Sequence, residues 1–220
     1  MKTFQELQEG LYDPNIFKAF FLAGGPGSGK SYVAGYATGG TGLKMVNSDD
    51  AFESMMNKAG LSLKMPPEET ERKDVVRGRA KSATEGKKKN YVEGRLGLVI
   101  DGTGDEADKI LRYKAELENL GYDTYMIFVN TSLDVALERN SARARSVPEQ
   151  IVVKSWKDVQ SNMGKFSNMF RSGFIVVDNN DADEDLLKVV YKRVKGLLRK
   201  KVQNTRAKEW MASELAKKQR

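Results

Sequence analysis

At 220 residues the chain has room for one α/β domain with a sizeable core, but not for two large ones. It contains no Cys and no His, which removes disulfides, thiolate nucleophiles, Cys-ligated zinc and every His-based general acid or base. Chemistry must then run on carboxylates, Lys, Arg, hydroxyls, backbone amides and a hard metal such as magnesium. The net charge of +7 is uneven: Lys188 to Arg220 hold twelve basic and two acidic residues, so +10 there leaves −3 on residues 1–187. No apolar run approaches the roughly 18 to 20 residues that span a bilayer. A soluble, cytoplasmic monomer without membrane contact is expected.

In chain order, residues 1–16 read as an N-terminal extension, 17–200 as the folded domain and 201–220 as a basic helical C-terminal tail. Five β-rich runs, Phe17 to Ala23, Leu43 to Asn47, Leu98 to Asp101, Thr124 to Asn130 and Phe174 to Val177, alternate with helix-compatible segments. That alternation predicts a five-stranded parallel sheet with helices on both faces, an α/β architecture that puts ligands at the carboxyl ends of its strands. The first run enters Gly24-Gly25-Pro26-Gly27-Ser28-Gly29-Lys30-Ser31, a full GxxxxGK[ST] match between a strand and a helix, which predicts a P-loop NTPase fold. Gly24, Gly25, Gly27 and Gly29, with Ser28, let backbone N–H groups and a helix N-terminus face phosphate oxygens. Lys30 is expected on the β- and γ-phosphates, and Ser31 on magnesium. The motif points to ATP or another nucleoside triphosphate, and GTPases and ATPases share it with kinases.

The second run ends in Asn47-Ser48-Asp49-Asp50, placing two carboxylates at the same sheet edge. Either could take the proton of an acceptor hydroxyl; alternatively Ser48 or Asp49 simply caps the following helix. The stretch from Pro66 to Arg95, rich in Lys, Arg and Glu, reads first as a solvated helical face and second as a substrate-facing lid. Asp101 ends the third run before Gly102-Thr103-Gly104, where it can join the magnesium shell, bind a substrate hydroxyl or merely cap the strand. Asp105 to Gly121 reads as a helix, and Leu133, Leu137, Ile151, Trp156, Val159, Met163 and Phe166 keep helical spacing after the fourth run. Arg139 and Arg143 fall four apart on one helical face, with Arg145 just beyond; guanidinium groups so placed can clamp a triphosphate, the alternative being a solvated basic helix. Asp178-Asn179-Asn180 after the fifth run suits a loop near the base of the nucleotide. In the tail, Trp210, Met211 and Leu215 are spaced for a short helix that docks or meets a partner, and the charge offers a nucleic-acid contact.

The order GGPGSGKS, VNSDD, VIDGT, RNSARARSVP resembles the small P-loop kinases that include phage polynucleotide 5′-kinase and the zeta-type toxins, over roughly Phe17 to Asn180. The resemblance implies a transfer of the γ-phosphate to a hydroxyl on a nucleic-acid end or a nucleotide-like molecule, with a sugar nucleotide as the toxin-like alternative. It makes Asp49 the base and Arg139 and Arg143 lid arginines. One departure stands out. Those families carry a cation three residues after the base, where this chain has Phe52, or Glu53 if Asp50 is the base. Met1 to Glu9 also resembles the capsid-targeting peptides of internal proteins in T-even-like phages, which implies cleavage after Glu9 and packaging in the virion, so a nucleotide-binding virion component is a third reading.

Overall fold

The computed structural model describes residues 11, 13–64, 66–143, 147–181 and 183–218; the peptide 1–9 and Arg145 lie outside them. Five strands, β1 (Lys18–Ala23), β2 (Lys44–Val46), β3 (Leu98–Asp101), β4 (Asp123–Asn130) and β5 (Phe174–Asp178), form one sheet in the order β2-β3-β1-β4-β5. Every pairing is parallel. The five expected strands are therefore all present: β3 has the expected bounds, and ends of the other four shift by one residue.

β1 is central and buried at every residue, so its side chains feed two cores in alternation. Ala19, Phe21 and Ala23 pack on one face, under α4 (Ala107–Leu120) and α6 (Glu149–Phe170). Phe20 and Leu22 pack on the other, under α1 (Lys30–Thr38) and α7 (Glu184–Arg199). α6 buries Val152, Val159 and Phe166, while Ile151 is 54 % exposed, so the apolar stripe starts one residue later than expected. Beyond β2, α2 (Ser48–Lys58) and α3 (Thr70–Glu93) share a small core of Phe52, Met56, Leu61, Val76 and Ala80.

The expected tail is in part a docked element. Half-buried Asp123 pairs with Lys18, 1 % exposed, at 2.8 Å and accepts the backbone N–H groups of Gln203 and Asn204, which fixes the chain leading into α8 (Thr205–Lys218). Ala207 is then fully buried, and the Trp210 ring stands edge-on to Phe17 at 5.4 Å. Among the described residues, no helix is long and apolar enough to cross a membrane.

Candidate nucleotide and acceptor site

The turn after β1 is shaped by what glycine lacks. At Gly27, φ is 79°, and a Cβ there would stand 2.0 Å from the Ala136 carbonyl oxygen on α5 (Leu133–Ser141); at Gly29, φ is 76°, and a Cβ would meet the Asn179 amide at 2.3 Å. The backbone thus coils tightly against its neighbours and enters α1 through Gly29. That helix has no side chain capping its N-terminus and no acidic residue in its first turn. Asn47, Ser132 and Asp183 cap α2, α5 and α7 with side-chain oxygens, and α3, α4 and α6, which like α1 lack a side-chain cap, each carry an acidic residue in the first turn. The open N–H groups and positive dipole end of α1 are therefore left for an anion. Two buried hydroxyls without partners, Ser28 and Ser155, border the loop, as expected where a polar ligand completes the hydrogen bonding; Ser155 Oγ lies 3.9 Å from where a Cβ on Gly25 would be.

Gly24 N–H donates to the Thr103 carbonyl at 2.8 Å, and Leu22 is in register with Asp101, so β3 holds its carboxylate beside the loop. Lys30 Nζ sits 2.9 Å from Asp101 Oδ1, both side chains less than a fifth exposed. The angle is outside hydrogen-bond range, leaving Oδ1 held by charge alone. This pair balances the Lys30 charge beside the phosphate loop.

At the end of β2, Asn47 rather than Ser48 or Asp49 caps the helix: its Oδ1 accepts the Asp49 N–H at 2.7 Å and its Nδ2 donates to Asp50 Oδ1 at 3.1 Å. Asp49 is exposed in the first turn of α2. Asp50 also reaches solvent, but partial burial, and then the charges of Asp101, Glu53 and Asp49, push its carboxyl above the ordinary aspartate range, with Lys30 pulling the other way. Asp50 is thus electrostatically coupled to the pair beside the phosphate loop.

The arginines separate. α5 ends at Ser141, so Arg139 and Arg143 do not share a helical face. The cause is buried Asn140, whose amide donates to the Val147 carbonyl at 2.7 Å and accepts the Val147 N–H at 3.0 Å, turning the chain out of the helix. Arg143 is exposed past the helix end. Arg139 donates to the carbonyls of Asn179 and Asn180 at 2.6 and 2.7 Å and lies close to Gly29. Asn179, 4 % exposed, also donates its amide to the Ser28 carbonyl at 2.7 Å. Nothing in the sequence marks Asn179 and Asn140 as structural struts beyond their place after a strand and within a helix.

A cavity of about 630 Å³ opens between α3 and α4 in front of Asp101. Lys81, Thr84, Glu85 and Lys88 of α3 line one wall, and Lys109 and Tyr113 of α4 the other. The charged stretch is therefore not only a solvated face: one side of it walls the cavity, because its three buried residues, Val76, Ala80 and Thr84, orient the helix. The Tyr113 hydroxyl is buried without a partner, its pKa raised mainly by burial, so it remains a neutral donor. Phe52, at the position of the missing cation, is covered by Arg77 of α3, with the guanidinium carbon 4.3 Å from the ring centre.

Serine hydroxyl and carboxylate oxygens are the donors magnesium takes, and Ser31 and Asp101 fit it. Among the described residues no group of three or more acidic side chains could cage a metal alone.

Residues 20–166 match the profile of the AAA_33 family, described as an AAA domain. No curated protein sequence matches the chain. Among solved structures, a putative kinase from Chloroflexus aurantiacus is similar with a TM-score of 0.54 and 18% identity, over 81% of this chain and 97% of that one. A gluconokinase from Sinorhizobium meliloti gives 0.51 and 13%, over 84% and 95%. A chain of the Pnkp1/Rnl/Hen1 RNA repair complex gives 0.53 and 20%, over 69% of this chain and 47% of that chain. At these identities the likeness is one of fold.

Proposed function

The chain belongs to the AAA_33 family of AAA domains, and from that membership we propose that it is a kinase that moves the γ-phosphate of ATP, or another nucleoside triphosphate, to a hydroxyl on a nucleic-acid end or a nucleotide-like acceptor. The observation that carries this reading is the meeting, at one sheet edge, of an uncapped helix N-terminus, the Lys30–Asp101 pair and an acceptor-sized cavity in front of Asp101. Kinases among the structures of the same fold agree with it.

The triphosphate lies along Gly24 to Ser31, with its β- and γ-oxygens on the loop N–H groups and Lys30. Asp101 and Ser31 would hold magnesium, which would neutralise negative charge on the phosphates. The acceptor enters between α3 and α4. Its hydroxyl oxygen bonds to the γ-phosphorus as the bond from that phosphorus to the β,γ-bridging oxygen breaks; the hydroxyl proton passes to the base, and the nucleoside diphosphate leaves. Of the two candidate bases, Asp50 feels the charges of Asp101 and Lys30, and Asp49 keeps the position implied by the resemblance. Arg139 positions the loop of Asn179 and Asn180 under the nucleotide, and Arg143 is free to reach the phosphates from the end of α5.

A toxin-like transfer to a sugar nucleotide has its own support: Glu85, Glu106 and Glu116 interleave with the cations of the cavity, a mixture suited to a polyhydroxyl group. Incubation with labelled ATP, magnesium, 5′-hydroxyl oligonucleotides and sugar nucleotides separates the readings. Label on the oligonucleotides, lost in Lys30→Ala, is the expected result. Label on the sugar nucleotides selects the alternative, and tight ATP binding with no labelled acceptor refutes the kinase in favour of a nucleotide-binding virion component.

A further inference from the structure

A second cavity, of about 760 Å³, lies at the opposite edge of the sheet, where β1 begins and α7 and α8 meet. Its floor is apolar, made by Ile16, Leu198, Val202, Met211 and Leu215. Its rim carries Lys195, Arg199, Lys200, Lys201 and Lys208, all exposed, and no Asp or Glu lines it. Elsewhere on the surface lysines pair with carboxylates, as in Lys88–Glu85, Lys188–Asp185 and Lys217–Glu214. None of the five rim cations forms such a pair among the described residues. Lys18, also in the lining, is already neutralised by Asp123 and adds no attraction.

Five like charges gathered around one groove repel one another, and the repulsion is relieved by a partner carrying several negative charges in a row. The apolar floor restricts that partner further. A flat bilayer cannot reach Ile16 and Leu198 at the bottom of the groove, each under a tenth exposed, and a duplex keeps its base faces stacked inside and offers phosphates and base edges only. A single strand offers both phosphates for the rim and exposed base faces for the floor. We infer that single-stranded nucleic acid binds along this groove, with the rim cations on its phosphates and its bases against Leu198, Val202 and Met211. β1 separates the groove from the phosphate loop by six residues, roughly 20 Å at about 3.3 Å each. The groove is therefore an anchoring surface that does not compete with nucleotide, and it stands or falls independently of the acceptor.

The test uses the full chain and a fluorescein-labelled 20-nucleotide strand, followed by anisotropy across a salt series. Five phosphate contacts predict a slope of log affinity against log salt of about −3.5, at about 0.7 per contact for a single strand. Lys200→Gln with Lys201→Gln removes two contacts, so the slope should shrink by about 1.4 and low-salt affinity fall roughly tenfold or more. Lys87→Gln with Lys89→Gln takes the same charge from exposed positions of α3 and should change little. Equal effects of the two double variants would overturn the proposal, as would groove-dependent binding to phosphatidylserine vesicles with no strand binding. Lys30→Ala should lose nucleotide handling and keep strand affinity, so failure of the kinase reading and failure of the groove are told apart.

Discussion

Gly27→Ala puts the geometry of the phosphate loop to a quantitative test. Alanine at this position must adopt φ 79°, at a cost of about 1–2 kcal/mol for a left-handed non-glycine residue. It would also stand 2.0 Å from the backbone carbonyl of Ala136, a fully buried helix residue that cannot rotate away as a side chain would. Moving α5 outward to restore contact is an overpacking cost of about 1–3 kcal/mol. Together these give about 2–5 kcal/mol, or a fall in Tm of roughly 5–15 °C for a chain of this size. Gly35→Ala in the adjoining α1 is the internal control: nothing lies within 4 Å of its Cβ, and a helix-interior alanine should stabilise by about 0.5–1 kcal/mol. Thermal unfolding of both variants, with fluorescent-nucleotide titration, reads the outcome. Equal melting temperatures, or Gly27→Ala retaining full nucleotide affinity, would refute the close approach of loop and α5.

Asp50→Asn is expected to cut transfer by roughly 10² or more while nucleotide still binds, and Asp49→Asn to do so instead if the base is the residue implied by the resemblance. Because the Asp50 carboxyl is raised and a base must be unprotonated, activity should fall on acidification at a pH above the range of an ordinary aspartate. Asp101→Asn removes a raising charge, so any residual rate in that variant should have its acid limb at lower pH; an unmoved limb would exclude Asp50. Arg139→Ala should lower Tm and raise the KM for nucleotide, since two carbonyls and the loop behind Gly29 lose their donor; an unchanged KM would confine Arg139 to a structural role. Trp210→Ala should lower Tm measurably through its contact with Phe17, whereas a free tail would show no change.

The phosphate loop, the five strands and the carboxylates at the strand ends were legible in the sequence, because each is fixed over a few consecutive residues. A glycine-rich turn, a run of β-branched and aromatic residues, and an Asp where such a run stops are dictated by backbone sterics and by burial of one short segment. What only the tertiary structure decided involves partners distant along the chain. Asn140 ends α5 by binding Val147 and so parts Arg139 from Arg143; Asn179 reaches the Ser28 carbonyl from 151 residues away. The mixed charges of α3 carry no periodicity that tells a cavity wall from a solvated face, and only packing of Val76, Ala80 and Thr84 placed Lys81 and Lys88 along the cavity. Likewise the count of +10 was visible from composition, but its division between a docked helix and a basic groove follows from Asp123, whose one carboxylate binds Lys18 and the backbone ahead of α8 at once.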